Sequence, residues 1–257
     1  MMKERRRKEI VSLSRRKGRE RLGQMLLEGV RSVEAAVQAG APLVEVIVTE
    51  AARAEPRVRA LLAQTDAPVH VVSAREAARL SDVRTSPGVL AVARTTLCPE
   101  ETLHTHRSVL VLDGVQDPGN VGTILRTAAW FGAEAVLASP GTADYFNPKT
   151  VRAAMGGLWD LRLARTADLP AALARLRQSG FTRYGAALDG RDARAWTPET
   201  PSALVLGSEA HGLSPEVAAC LDARIAIPGA PDRRGTESLN VAVAAGILTY
   251  QWLGAGG

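Results

Sequence analysis

The chain has only two cysteines, Cys98 and Cys220, in 257 residues. Two thiols cannot build a disulfide framework or a four-cysteine metal site, and their scarcity fits a reducing, cytoplasmic setting. Aromatic residues make up just 4% of the chain, so few rings are available as stacking platforms for bases. No apolar run approaches the ~18 residues of a membrane span, and the charged start lacks the apolar core of a secretory signal. Neither a membrane protein nor a secreted one is expected. The four histidines, His70, His104, His106 and His211, are scattered, so no metal site is expected either. What remains is a chain 46% hydrophobic, enough for a substantial core and long enough for two domains.

Charge of one sign is concentrated at the start. Residues 1–21 carry ten Lys or Arg against Glu4, Glu9 and Glu20, a net +7 within an overall +5. The rest of the chain is therefore slightly acidic. A basic arm on a nearly neutral body suits contact with a phosphate backbone, where each neutralised phosphate releases counterions; a solvated tail is the plainer alternative.

After the arm, residues 22–39 have the apolar spacing of an amphipathic helix, stopped by Gly40-Ala41-Pro42. Strands are expected at 43–49, 69–72 and 88–94, with helices near 57–64 and 74–80. This makes a small α/β domain over 22–96, followed by a polar linker at 97–106 containing Pro99. A second alternation fills 107–257. Strands are expected at 108–112, 135–138, 161–164, 184–188, 203–206 and 223–227. Helices are expected at 121–131, 150–155, 169–179, 215–220 and 239–252. That order implies a mostly parallel sheet covered on both faces. In such sheets ligands lie beyond the carboxyl ends of the strands, so the strand-to-loop junctions are where chemistry belongs.

Three junctions stand out. The first, LDGVQDPGNVGTILRTAAWFGA at 112–133, runs from a strand through a Gly/Pro turn into a helix. A phosphate-binding loop needs Lys after its second glycine, where Asn120 follows Gly119 here. A dinucleotide fingerprint needs three glycines, and only Gly119 and Gly122 fit its spacing. The second, ALVLGSEAHGLS at 203–214, holds Ser208, Glu209 and His211 but no G-x-S-x-G elbow, so a hydrolase is not supported. A glycine-bounded loop after a central strand reads better as a small-molecule cradle. The third, at 225–252, passes from Pro228 through a polar loop to Ser238-Leu239-Asn240 and a final helix rich in small residues. Ser238 is a candidate helix cap, and Asn240 offers a ligand both a donor and an acceptor.

These segments resemble the three motifs of the SpoU family of RNA methyltransferases, in the SPOUT superfamily. Asn120-Val121-Gly122 with Arg126-Thr127-Ala128 matches the first motif, and Gly207-Ser208-Glu209 with Gly212-Leu213-Ser214 the second. Ile227-Pro228 with Ser238-Leu239-Asn240-Val241 and Ala244 matches the third. The N-terminal part, with Arg16-Lys17-Gly18-Arg19 and Leu27-Glu28-Gly29-Val30-Arg31, is similar to the ribosomal-protein-like substrate-binding domain often fused ahead of it. The chain departs from the family pattern at Ser208, usually Asn, at Ala210, usually Gly, and at Ala242, usually Ser.

The resemblance implies an α/β fold whose C-terminal domain is mostly parallel and tied in a trefoil knot, preceded by a smaller α/β RNA-binding domain. It implies S-adenosylmethionine held by Leu188, Asp189 and Gly190, by Leu206, Gly207, Ser208, Glu209 and Gly212, by Ile227 and Pro228, and by Ser238, Leu239 and Asn240. It implies a homodimer through the knot, in which Arg126 crosses to the other subunit's site, with Asn120, Glu209, Ser238 and Asn240 organising the reaction. The product would be a 2′-O-methylated ribose in structured RNA, with ribosomal RNA favoured over transfer RNA. Arg16, Lys17, Arg19, Arg31 and Arg126 are the expected RNA contacts. A non-catalytic RNA-binding or ribosome-assembly factor on the same scaffold is the rival reading, and an enzyme using a cofactor such as NAD a more distant one.

Overall fold

The computed structural model describes residues 2–83, 85–232 and 234–254. The chain divides into two compact units, Met1–Thr96 with Asp144–Trp159, and Leu97–Ala143 with Asp160–Gly257.

The basic start of the first unit is folded. Glu4–Ser12 (α1) and Arg16–Leu22 (α2) are helices, and Ile10 and Leu13 are buried in a cluster with Leu26, Ile47 and Leu90. The expected basic arm is thus helical and tied to the first unit: among its arginines, Arg6 pairs with Glu45 at 2.6 Å, Arg7 with Glu76 at 2.6 Å, and Arg19 with Asp144 at 2.6 Å. The expected helix over 22–39 is also corrected. Gln24–Glu28 is a strand (β1), and only Val30–Gln38 is helical (α3). Gly29, at φ +90°, breaks the run. Leu22, Met25 and Leu26 have the spacing of a helical stripe, but pairing with a later strand overrides local propensity.

The next elements are β2 (Leu43–Thr49), α4 (Glu50–Ala54), α5 (Pro56–Leu62), β3 (Val69–Val72), α6 (Ala74–Leu80) and β4 (Val89–Arg94); all follow expectation except the short helix α4, which the sequence does not signal. Ser73 caps α6 by accepting from Glu76 N; a Ser three residues before Glu is a readable helix start. The sheet order is β1-β4-β2-β3, with β4 antiparallel to both neighbours.

The expected linker belongs to the second unit. Residues Glu100–Thr105 form a 3-10 turn, Leu103 is 1% exposed within the core, and Cys98 N donates to Leu163 O. The polar composition hid this one anchoring leucine. Ser108–Asp113 (β5), Pro118–Trp130 (α7) and Ala135–Ala138 (β6) come next, and the chain then leaves for the first unit, where Pro148–Ala154 is α8. It returns as Arg162–Arg165 (β7), Leu169–Gln178 (α9), Thr182–Asp192 (β8), Ser202–Gly207 (β9), Pro215–Ala218 (α10), Ala223–Ala226 (β10) and Val241–Gly254 (α11).

The six strands lie in the order β10-β8-β9-β5-β6-β7, every pair parallel. Strands β6 and β9 are buried at every position and β5 at all but its last, as a sheet covered on both faces requires. The β5–β9 register sets Leu112 beside Leu206 and Asp113 beside Gly207. The loops after these two strands therefore start side by side. Strand β8 pairs with β10 through Gly185 opposite Arg224, and then Arg191 opposite Ile225. One step along β10 thus spans residues 186–190 of β8, which stand out of the ladder.

Candidate active site

Helix α7 starts at the carboxyl end of β5. Asp117 accepts from Asn120 N at 2.8 Å and Pro118 opens the first turn, a cap contributing about 1 kcal/mol. This fixes where Asn120 points. Its Nδ2 donates to Glu209 Oε1 at 2.8 Å, and its Oδ1 accepts from Asn240 Nδ2 at 3.1 Å. Glu209 Oε2 also accepts from Gln116 N at 3.4 Å. One residue from each of the three junctions, far apart in sequence, thus joins a single relay. Asp113 adds a second tie between the first two loops, accepting from Ser214 N at 2.8 Å.

The Glu209 loop is a tight turn. Ser208 and Gly212 exchange backbone hydrogen bonds at 2.9 Å in both directions, and the Ser208 hydroxyl accepts from His211 N at 3.1 Å. A Cβ on Gly207 would lie 2.1 Å from the Gly212 carbonyl carbon, so only glycine fits there. The third loop differs from expectation at its helix start. Asn240, rather than Ser238, caps α11, its Oδ1 accepting from Ala242 N at 2.9 Å and Val243 N at 3.3 Å. Asn240 therefore faces two ways, closing a helix end and feeding the relay.

The other expected cofactor residues lie on or just beyond strands β8, β9 and β10 and ahead of α11. Leu188, Asp189 and Gly190 lie on the looped-out part of β8, where a Cβ on Gly190 would lie 2.5 Å from Ile225 N. Asp189 pairs with Arg224 of β10 at 2.7 Å. Leu206 is buried at the end of β9. Ile227 is half-buried and Pro228 exposed just past β10, and Ser238 is exposed ahead of the Asn240 cap. Leu188, 74% exposed, and Leu239, 46% exposed, offer apolar surface to solvent. A cleft of about 270 Å³ beside Glu101, His104 and Arg175 contains none of these residues. Among the described residues, no group of three or more His, Cys, Asp or Glu is placed to hold a metal ion.

Arg126 is not in the relay. It lies six positions beyond Asn120 on α7, about 120° around the axis, on the exposed side with Thr123 and Trp130. Of the expected RNA contacts in the first unit, Arg16, Lys17 and Arg31 are exposed. Arg19 is only 3% exposed; it donates to Asp144 and to the carbonyls of Leu13 and Ser14, so it serves the fold and not a phosphate. Three residues of the site escaped the sequence reading: Asp113, Gln116 and Asp117. The last was readable, since Asp before Pro is a helix-start signal.

Known proteins resemble this chain in sequence and in fold. Residues 107–250 match the model of the SpoU rRNA Methylase family, and residues 5–91 that of the MRM3-like substrate binding domain. The chain is 34% identical over 248 residues to the 23S rRNA (guanosine(2553)-2′-O)-methyltransferase RlmP of Bacillus subtilis, covering 96% of this chain and 95% of that one. It superposes on the AdoMet-bound rRNA methyltransferase of Sinorhizobium meliloti with a TM-score of 0.85 at 28% identity, covering 98% and 95% of the two chains. The SpoU methyltransferase AviRb from Streptomyces viridochromogenes, in complex with AdoMet, gives 0.85 at 25% identity over 97% of each chain. With its three motif loops drawn into one hydrogen-bonded cluster, the chain belongs to the SpoU rRNA methylase family.

Proposed function

We propose that this protein transfers a methyl group from S-adenosylmethionine to a ribose 2′-hydroxyl of structured RNA, with ribosomal RNA as the substrate. The observation that carries this reading is the Asn240–Asn120–Glu209 relay at the carboxyl ends of parallel strands. The loops at 188–190, 207–212 and 227–228, with Leu239, fit the cofactor by their exposed apolar side chains and glycine-only turns. When bound there, S-adenosylmethionine supplies an electrophilic methyl group on its sulfonium. The relay fixes three loops relative to one another, and such positioning is what a displacement needing in-line geometry requires.

The protein works as a homodimer, and Arg126 acts at the site of the other copy. Two observations support this. Arg126 points away from its own Asn120, and α11 keeps Val243, Ile247 and Tyr250 exposed along one face, although a helix apolar all round is expected to be covered. The family's trefoil knot in the second unit is part of the same reading. A guanidinium holds its proton at neutral pH and is a poor base. Arg126 instead stabilises the negative charge that develops on the ribose oxygen while the proton leaves to phosphate or water. The first unit, with Arg16, Lys17 and Arg31 exposed, contributes phosphate contacts and target choice. With no helix among the described residues long and apolar enough to cross a membrane, and free cysteines, the protein is proposed to act in the cytoplasm.

The test is tritium transfer from methyl-labelled S-adenosylmethionine to ribosomal and transfer RNA isolated from cells lacking the gene, followed by mapping of 2′-O-methyl sites. Transfer to ribosomal RNA, cut about a hundredfold by Arg126→Ala, is the expected result. Transfer only to transfer RNA corrects the substrate. Tight RNA binding without transfer would make the protein a non-catalytic factor.

A further inference from the structure

The exposed side of α7 carries a residue that the reaction just described does not use. Trp130 is 83% exposed, whereas Trp196 and Trp252 are 4% and 5% exposed. An exposed apolar side chain is not unusual by itself, but an indole offers a large flat face for stacking, and what surrounds Trp130 decides its use. Its sequence neighbour Phe131 turns the other way and packs on Tyr250 of α11, ring centroids 5.7 Å apart. The side of α7 that meets α11 also includes Thr127, whose Cγ2 lies 3.9 Å from the Cβ position of Gly246. Trp130 is therefore outside the apolar stripe of α11, and its neighbours on α7 at the preceding turns are Arg126 and Thr123, both exposed. An indole one turn from a cation suits a nucleotide site, where bases stack and phosphates or sugars are bonded. An interface knob would be ringed by other apolar side chains.

We propose that Trp130 stacks on the base of the nucleotide whose ribose is methylated. The inference rests on the methyltransferase reading and on Arg126 reaching the ribose. Arg126 and Trp130 are one turn apart on the same face, a rise of ~6 Å, comparable to the distance from a ribose 2′-oxygen to the centre of its own base. With the guanidinium at the oxygen, the indole falls where the base would be splayed out. Stacking accepts any base because every base has a π face, so Trp130 holds the nucleotide out of its helix without choosing its identity. The site takes an unstacked nucleotide in a loop or bulge of RNA.

The test compares wild type with Trp130→Ala and Trp130→Phe, using full-length protein and ribosomal RNA from cells lacking the gene. Loss of one stacked base lowers kcat/KM for RNA about 5- to 150-fold. Trp130→Ala is expected in that range, with S-adenosylmethionine affinity and sedimentation unchanged, and Trp130→Phe within about threefold of wild type because a π face is kept. RNA should quench tryptophan emission in wild type and leave that of Trp130→Phe largely unchanged. Activity of Trp130→Ala within twofold of wild type overturns the proposal, and so does dissociation of that variant into monomers, which would make the indole an interface residue. If wild type transfers no methyl group, the methyltransferase reading fails on its own, and absence of quenching then overturns the Trp130 contact separately.

Discussion

The relay can be tested by reversing it. In Asn120→Asp the group facing Glu209 changes from a donor to a second carboxylate, while the acceptor facing Asn240 is kept. Two like charges at the present 2.8 Å separation repel by about 1.5 kcal/mol in a water-like dielectric and about 6 kcal/mol at an effective dielectric of 20. Glu209 is exposed, so the lower end applies. Adding the lost charge-assisted hydrogen bond, discounted for exposure, gives about 2 kcal/mol against the native loop arrangement. Both partners can turn outward and rehydrate, so global stability should fall by under about 1 kcal/mol. The penalty should appear in methyl transfer, because 2 kcal/mol is about a thirtyfold loss in kcat/KM. Adding Glu209→Gln restores a donor opposite the new carboxylate, and the double variant should recover most of that loss. Rates from labelled S-adenosylmethionine and urea unfolding together decide the matter. A single variant as active as wild type, or a double variant no better than the single, would refute the idea that the relay positions the loops.

Three further outcomes follow from the packing. Arg19→Ala leaves Asp144 and two backbone carbonyls without their buried partner and should lower the stability of the first unit by about 3 kcal/mol in urea. The hydrogen bonds from Arg183 hold the Asp222 carboxyl below the usual carboxylate range. A depressed folded value means its stabilisation is present at neutral pH and lost as pH falls through that value. Asp222→Asn should thus cost about 2 kcal/mol at pH 7, and thermal unfolding should show the gap closing below about pH 4. Gly207→Ala drives a methyl group into the Gly212 backbone and should weaken S-adenosylmethionine binding at least tenfold by calorimetry, with RNA binding retained.

Much of the second unit could be read from its residues because buried parallel strands announce themselves as unbroken apolar runs; β5, β6 and β9 did so. The convergence of Asn120, Glu209 and Asn240 was legible as motif order, but the contact between their side chains depends on the β5–β9 register, which no local pattern encodes. Strand β1 is hidden in the sequence because Leu22, Met25 and Leu26 fit a helical period that runs on into α3, and only pairing with β4 makes it a strand. Helix α1 was hidden by its charge, since two buried residues, Ile10 and Leu13, anchor an otherwise basic segment. Ser238 and Asn240 are both good caps by residue type; the hydrogen bonds from Ala242 N and Val243 N select Asn240. The outward face of Trp130 is not readable either, because residue type alone does not separate an exposed indole from a buried one.

The excursion of residues 144–159 into the first unit means that no single cut yields two whole halves. A catalytic fragment beginning at Leu97 would carry Tyr145, Val151 and Leu158, all buried in the intact chain, away from the strand β1 against which α8 is packed. The missing half would lose the Arg152–Glu28 and Arg19–Asp144 links that seat this segment. Anyone isolating the methyl-transferring part should expect a sticky, poorly behaved product unless that stretch is replaced by a short polar loop.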